Sequence, residues 1–218
     1  MAFPGRGGAG QVLIAGAAGN IETLIDAPAS GAAPRGIALT AHPHPLYGGT
    51  LDNKVVQTLA RTFAELGYVA LRPNFRGVGA SEGEHDKGEG ETGDMLAVLA
   101  YARQRYGELP VVLAGFSFGA YVQVRVAHQL TAQGLPPERM VLVGLAVGRV
   151  TSDRNYDTGG VPADTILIHG ERDETVPLAN VAAWAKTQHI EVNIIPEADH
   201  FFHRKLAEIK SIIKSQWH

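Results

Sequence analysis

From Gly36 onward, short apolar runs rich in β-branched residues alternate with longer stretches whose apolar residues recur at three and four positions. No other feature of the chain restricts its fold as strongly. The short runs, 36–41, 68–72, 110–115, 139–147, 165–169 and 191–195, are read as strands, and the stretches 52–66, 91–106, 118–130, 178–188 and 203–215 as amphipathic helices. A strand followed by a helix and another strand requires a crossover, which makes the strands parallel and places helices on both faces of the sheet. Two earlier runs, 12–15 and 20–26, are joined only by GAAGN, too short for a crossover, and are read as an antiparallel edge hairpin. The predicted fold is α/β, a mostly parallel, doubly wound sheet.

A chain of 218 residues can bury one sizeable core, so a single domain over 1–218 is expected, with 1–10 as a flexible leader. The longest polar, glycine-rich segment, 76–94, reads as a surface loop rather than a domain boundary. Its G-x-G-x-x-G pattern, Gly88 to Gly93, and a second at Gly5 to Gly10 do not directly follow strands, so both are read as loops rather than dinucleotide sites. A net charge of −3, from 19 basic and 22 acidic residues without a Lys/Arg cluster, argues against nucleic acid as partner. The longest apolar run, 140–147, is far shorter than the roughly 18 to 20 residues that cross a bilayer, so no membrane is expected either. The leader has no signal-like apolar stretch and the chain has no cysteine, which together make the cytoplasm the expected location.

The chemistry is concentrated at Gly115-Phe116-Ser117-Phe118-Gly119, where a buried strand gives way to a helix. A serine becomes a useful nucleophile only beside a base and clear of the backbone. A sharp strand-to-helix turn presents it that way, and glycines on either side let strand and helix pass closely. Asp173 in HGERDETVP and His200 in PEADHFF each lie just past the carboxyl end of a later strand, where open α/β sheets form their ligand crevice. In that arrangement His200 takes the Ser117 proton and Asp173 orients the imidazole. His203, read as lying inside the next helix, and Glu171, at the strand end, are the rival acid–base residues and are assigned surface or supporting places.

HPHPLYGGTLDN, RPNFRGVGASEG, GFSFG, HGERDETVP and ADHFF, in that order, resemble the α/β-hydrolase superfamily, in particular small capless bacterial hydrolases related to the dienelactone hydrolases. The resemblance covers nearly the whole chain after the leader. Dienelactone hydrolases use a cysteine nucleophile, which this chain lacks, so their substrate is not carried over. It implies an oxyanion hole of two backbone N–H groups: that of Phe118, after the nucleophile, and one from the HPHPLYGG loop. Pro43 and Pro45 have no N–H; Leu46 is the choice, with His44 and Tyr47 left open. His42-x-His44 also raises a metal site, against which stands the (β/α)₈ barrel that such amidohydrolases use; packing beneath the oxyanion loop is the reading adopted for both histidines. Arg76 and Ser81 are expected to have structural duties. Only 148–162 separates two late strands, room for a short helix but not for a cap, so the cleft is expected to be open, lined by Tyr47, Phe118, Tyr156, Trp184 and Phe201.

The resulting expectation is a serine hydrolase acting on small-molecule carboxylic esters through an acyl-enzyme, with neither metal nor organic cofactor. A thioesterase or peptidase using the same three residues, and a non-catalytic ligand-binding protein, are the alternatives; monomer and homodimer both stay open.

Overall fold

The computed structural model describes residues 10–151 and 154–217. The expected leader and the Gly5 to Gly10 pattern therefore lie outside the described residues, apart from Gly10 itself. In chain order the elements are β1 (Gly10–Gly16), β2 (Gly19–Asp26), β3 (Ile37–Ala41), α1 (Lys54–Glu65), β4 (Val69–Pro73), α2 (Glu89–Tyr106), β5 (Val111–Phe116), α3 (Phe118–Ala132) and β6 (Arg139–Val143). There follow β7 (Gly148–Arg149), β8 (Asn155–Tyr156), β9 (Ile166–Gly170), α4 (Leu178–Gln188), β10 (Val192–Ile195) and α5 (Leu206–Gln216).

Eight strands form one sheet in the order β1-β2-β4-β3-β5-β6-β9-β10, with β7 and β8 as a separate small pair. The β1–β2 hairpin joins antiparallel through β2 to β4, and every other junction in the large sheet is parallel. Period-two alternation sorts the strand side chains onto two faces. Ile37, Leu39, Val111, Leu113, Met140, Leu142 and Leu167 pack on one face with α2, α3 and α4. Ala38, Val112, Ala114, Val141, Val143, Ile166 and Ile168 pack on the other with α1 and α5. The parallel strands read as unbroken apolar runs because both faces are covered. Among the described residues, no helix is long and apolar enough to cross a membrane.

Three sequence expectations are corrected. The apolar run 139–147 is strand only as far as Val143; 144–147 is fully buried but irregular, turning at Gly144 (φ +53°) beneath the Ser117 turn. Burial, not extended conformation, made those residues apolar. Second, α2 begins at Glu89, so Gly90 and Gly93 are helical and the polar segment 76–94 folds inward at its end. Glu91 is wholly buried and accepts from the N–H groups of Asp86 (2.9 Å) and Gly88 (2.8 Å), while Asp94 takes two hydrogen bonds from Arg76 at 2.8 Å. Charge mimics exposure in a sequence until each carboxylate finds donors. Ser81 is structural as expected, donating to the Asn74 carbonyl and accepting from the Glu22 N–H. Third, α5 begins at Leu206, so His203 precedes the helix rather than lying inside it. The β7–β8 pair also occupies part of the interval where a short helix was conceivable.

Candidate active site

Strand β5 ends at Phe116 and α3 begins at Phe118, leaving Ser117 alone to make the turn at φ 56°, ψ −119°. A non-glycine residue there is strained by roughly 1–3 kcal/mol, so the surroundings must hold it. They do so through the Ser117 N–H, which donates to the Val143 carbonyl at 2.9 Å. The flanking glycines are required by close approach: a Cβ on Gly115 would meet the backbone of Gly119 and Ala120 at 2.6 Å, and one on Gly119 would meet the carbonyl oxygens of Ala41 and His42 at 2.4 Å. Strand β3, its exit loop and the start of α3 are thereby pressed together, and the free N–H groups of the first helical turn lie beside the serine.

Ser117, His200 and Asp173, each under 9% exposed, form one hydrogen-bonded chain. His200 Nε2 lies 3.1 Å from Ser117 Oγ, and His200 Nδ1 lies 2.7 Å from Asp173 Oδ2. Asp173 is fixed from its other oxygen, Oδ1, which accepts from the N–H groups of Thr175 (2.9 Å) and Val176 (2.8 Å). A carboxylate so held is an acceptor, which puts the imidazole proton on Nδ1 and leaves Nε2 to accept from the serine. Phe116 and Phe201 pack against the His200 ring with centroids 4.9 and 5.2 Å away, and the missing side chain of Gly144 makes room beside its Cε1.

One supporting residue escaped the sequence reading. His169, wholly buried at the end of β9, donates from Nε2 to the Val176 carbonyl at 3.0 Å and stands 3.4 Å from Asp173 Oδ2. Burial lowers its pKa, against the opposing pull of Asp173, so it braces the carboxylate as a neutral ring. Its only sequence signal is its place four residues before the aspartate.

The HPHP segment resolves into two different duties. His42 is fully buried, with Nδ1 2.6 Å from the Pro43 carbonyl and Nε2 accepting from the Phe75 N–H at 2.9 Å. Both ring nitrogens are thus in use by the backbone, and burial lowers its pKa to about 4. His44 caps a 3₁₀ turn, Pro45–Tyr47, that closes at Gly48 in the left-handed conformation (φ 80°). The N–H of Leu46, the sequence choice of oxyanion donor, donates here to His44 Nδ1 at 3.3 Å, while that of Tyr47 donates to the His44 carbonyl at 3.1 Å. A proline at the first helical position and a glycine at the end are the legible signature of that turn.

The predicted lining residues separate. Tyr47 is 60% exposed and stacks edge-on against His44, and Phe201 is half exposed beside His200. Tyr156 is buried against Tyr121 and Phe118. Trp184 belongs to the core, its indole N–H donating to the Thr158 carbonyl at 2.8 Å. His203 pairs with Asp199, and the Glu171 carboxylate accepts from the Glu197 N–H; neither residue bonds to Ser117.

Comparison with known proteins adds an independent line. A family profile described as a thioesterase domain matches residues 81–163. An uncharacterized protein of Rickettsia prowazekii is 33% identical over 214 residues, covering 93% of this chain and 86% of its own length. A Xanthomonas campestris protein described as an α/β serine hydrolase without lid superposes with a TM-score of 0.87 at 33% identity, over 98% of this chain and 94% of that one. An α/β serine hydrolase homologue from Coxiella burnetii gives a TM-score of 0.85 at 34% identity, over 96% and 97% of the two chains.

Proposed function

This chain belongs to the α/β serine hydrolases, and on that premise we propose that it cleaves small carboxylic esters through an acyl-enzyme formed on Ser117. The observation that carries the reading is the unbroken chain from Ser117 Oγ to His200 at 3.1 Å and from His200 to Asp173 at 2.7 Å. As the Ser117 oxygen bonds to the ester carbonyl carbon, His200 Nε2 takes the hydroxyl proton, and Asp173 stabilises the imidazolium. The same proton passes to the alkoxy oxygen as the carbon–oxygen bond breaks and the alcohol leaves. Water then repeats the sequence, with His200 as its base, and releases the acid.

The tetrahedral intermediate places a negative charge on the former carbonyl oxygen, and preorganised donors there are worth roughly 3–4 kcal/mol each. We assign them to the N–H of Phe118, at the start of α3, and to that of His44. The second assignment follows by elimination, since the N–H groups of Leu46 and Tyr47 are occupied within their own turn. Gly119 supports it by holding the carbonyls of Ala41 and His42 against α3.

The match of residues 81–163 to a thioesterase-domain profile favours a second reading, in which a thiolate is the leaving group. The two readings share every step above except the group expelled. Labelling with a fluorophosphonate and mapping the adduct tests the common part: the label is expected on Ser117 and activity is lost in Ser117→Ala. Modification elsewhere, or full activity in that variant, ends the proposal. Parallel turnover of 4-nitrophenyl butyrate and butyryl-coenzyme A separates the leaving groups, with the ester expected to react faster.

A further inference from the structure

Arg154 is linked by ring contacts to the residues beside this site, and among the described residues no carboxylate pairs with it. Its guanidinium carbon lies 4.3 Å from the centroid of the Tyr47 ring, and Nη1 donates to Tyr156 Oη at 3.2 Å. Both aromatic partners connect through ring contacts to Phe118. Tyr47 meets His44 at 5.0 Å and His44 meets Phe118 at 4.8 Å, while Tyr156 lies 6.2 Å from Phe118, the residue directly after Ser117.

These partners are uncharged. Burial raises the Tyr156 pKa above its ordinary value, so the phenol stays neutral. Burial, then the neighbouring His85, then Arg154 itself hold His44 at about 4, so this imidazole is neutral as well. Other arginines that are partly or wholly buried are treated differently: Arg72, Arg76, Arg103, Arg125 and Arg139 each lie within 4.0 Å of a carboxylate. Among the described residues Arg154 has none, and its Nε is shut off from solvent without an acceptor. A guanidinium that is partly dehydrated and lacks an anion is unfavourable unless something else supplies the charge. Its planar array of donors suits carboxylate and phosphate oxygens above all other groups.

We infer that Arg154 recognises an anionic oxygen group, carboxylate or phosphate, at the far end of the ester that Ser117 attacks. The substrate class is then a small ester carrying a negatively charged terminus, with Tyr47 holding the guanidinium in place by its ring face. This rests on the serine-hydrolase reading, from which its test is kept separate.

A matched pair of substrates provides the test: mono-4-nitrophenyl adipate, which ends in a carboxylate, and 4-nitrophenyl hexanoate, which ends in a methyl group. A hydrogen-bonded charge of this kind predicts a kcat/KM for adipate about tenfold or more above that for hexanoate. The preference is expected to collapse in Arg154→Gln and to reverse in Arg154→Glu, through KM more than kcat. Should these variants not fold, the wild-type preference is measured at low salt and at about 0.5 M, where screening must shrink it. Equal rates on the two esters, a preference that survives Arg154→Gln, or one indifferent to salt would overturn the inference while leaving Ser117 as nucleophile. Failure of both esters, together with no fluorophosphonate label on Ser117, is a different result and removes the hydrolase reading itself.

Discussion

Two histidine–aspartate pairs, Asp173 with His200 and Asp199 with His203, lie within a few residues of each other at the carboxyl end of the sheet, and of these two only the first reaches the Ser117 hydroxyl. Asp173 and His200 have side chains 0% and 6% exposed, and the imidazole's second nitrogen meets the Ser117 hydroxyl. Asp199 and His203 are also paired through Nδ1, but their side chains are 46% and 75% exposed. What distinguishes the pairs is not the carboxylate–imidazole contact, which both make. It is the exclusion of water around one of them, and the strained turn that brings a third group to its open nitrogen. The largest expected effect tests that difference directly. His200→Ala should lower kcat/KM by roughly 10⁴-fold or more, and Asp173→Asn by about 10³ to 10⁴, because the wrong tautomer then faces the serine. His203→Ala and Asp199→Asn should each stay within about twofold of wild type. Steady-state kinetics on one ester decide the matter, and comparable losses in the two pairs would erase the distinction.

Tight packing on the buried side supplies the next test. A methyl at residue 119 must push against two backbone carbonyls at 2.4 Å, and carbonyls of a strand end cannot rotate away as a flexible side chain would. Gly119→Ala is therefore expected to cost about 1–3 kcal/mol of stability by overpacking. It should also lower kcat by about 100-fold through displacement of the His42–His44 backbone. Denaturant melts and kinetics on the same preparation measure both. A variant with native stability and activity would show that the close approach of β3 to α3 does not position the site.

How much of this was legible follows from the same contrast. The order of strands and helices could be read because burial on both faces leaves unbroken apolar runs, and the partners of Ser117 could be read because each directly follows such a run. The residues at 144–147 were misread as strand since a buried irregular turn has the same apolar composition. Glu91 and Asp94 were read as solvent-facing, because nothing local announces that the N–H groups of Asp86 and Gly88 and the guanidinium of Arg76 will satisfy them. The 3₁₀ turn after His44 carries a local signature, Pro45 at its start and Gly48 at its end, but nothing local announces that the His44 imidazole will accept from the Leu46 N–H. Arg154 had no sequence signal whatever: its surroundings come from Tyr47, more than a hundred positions earlier, and from Tyr156.

His42 extends the comparison to pH. Its pKa falls from 6.5 to about 4 because burial disfavours the charged form, outweighing the hydrogen bond to the Pro43 carbonyl. Between those values the unfolded chain binds a proton that the folded chain refuses, so stability rises with pH through that window and is lost as pH falls through it. The full difference is about 3 kcal/mol. Urea titrations between pH 4 and 7 should show this slope in the wild type and a shallower one in His42→Gln, whatever that variant's stability at neutral pH. An unchanged slope would mean that the ring is not held neutral by its buried place.

The smallest effect belongs to the exposed pair. Burial is the largest single influence on the Asp199 carboxyl and raises its pKa, but hydrogen bonds from the His203 side chain and backbone, with the attraction of that imidazole, together outweigh it and leave the pKa lowered. Any stability it contributes is thus present above the ordinary carboxylate pKa and lost as pH falls through the lowered value. Both side chains remain largely in water, where such a pair is worth roughly 0–1 kcal/mol and is screened by salt. His203→Ala should accordingly change the unfolding free energy by less than about 0.5 kcal/mol, with the difference vanishing near 1 M salt. A larger, salt-resistant loss would mean that the turn between Asp199 and His203 holds His200 in position, in which case the two pairs are one structural unit and the activity of His203→Ala must fall with its stability.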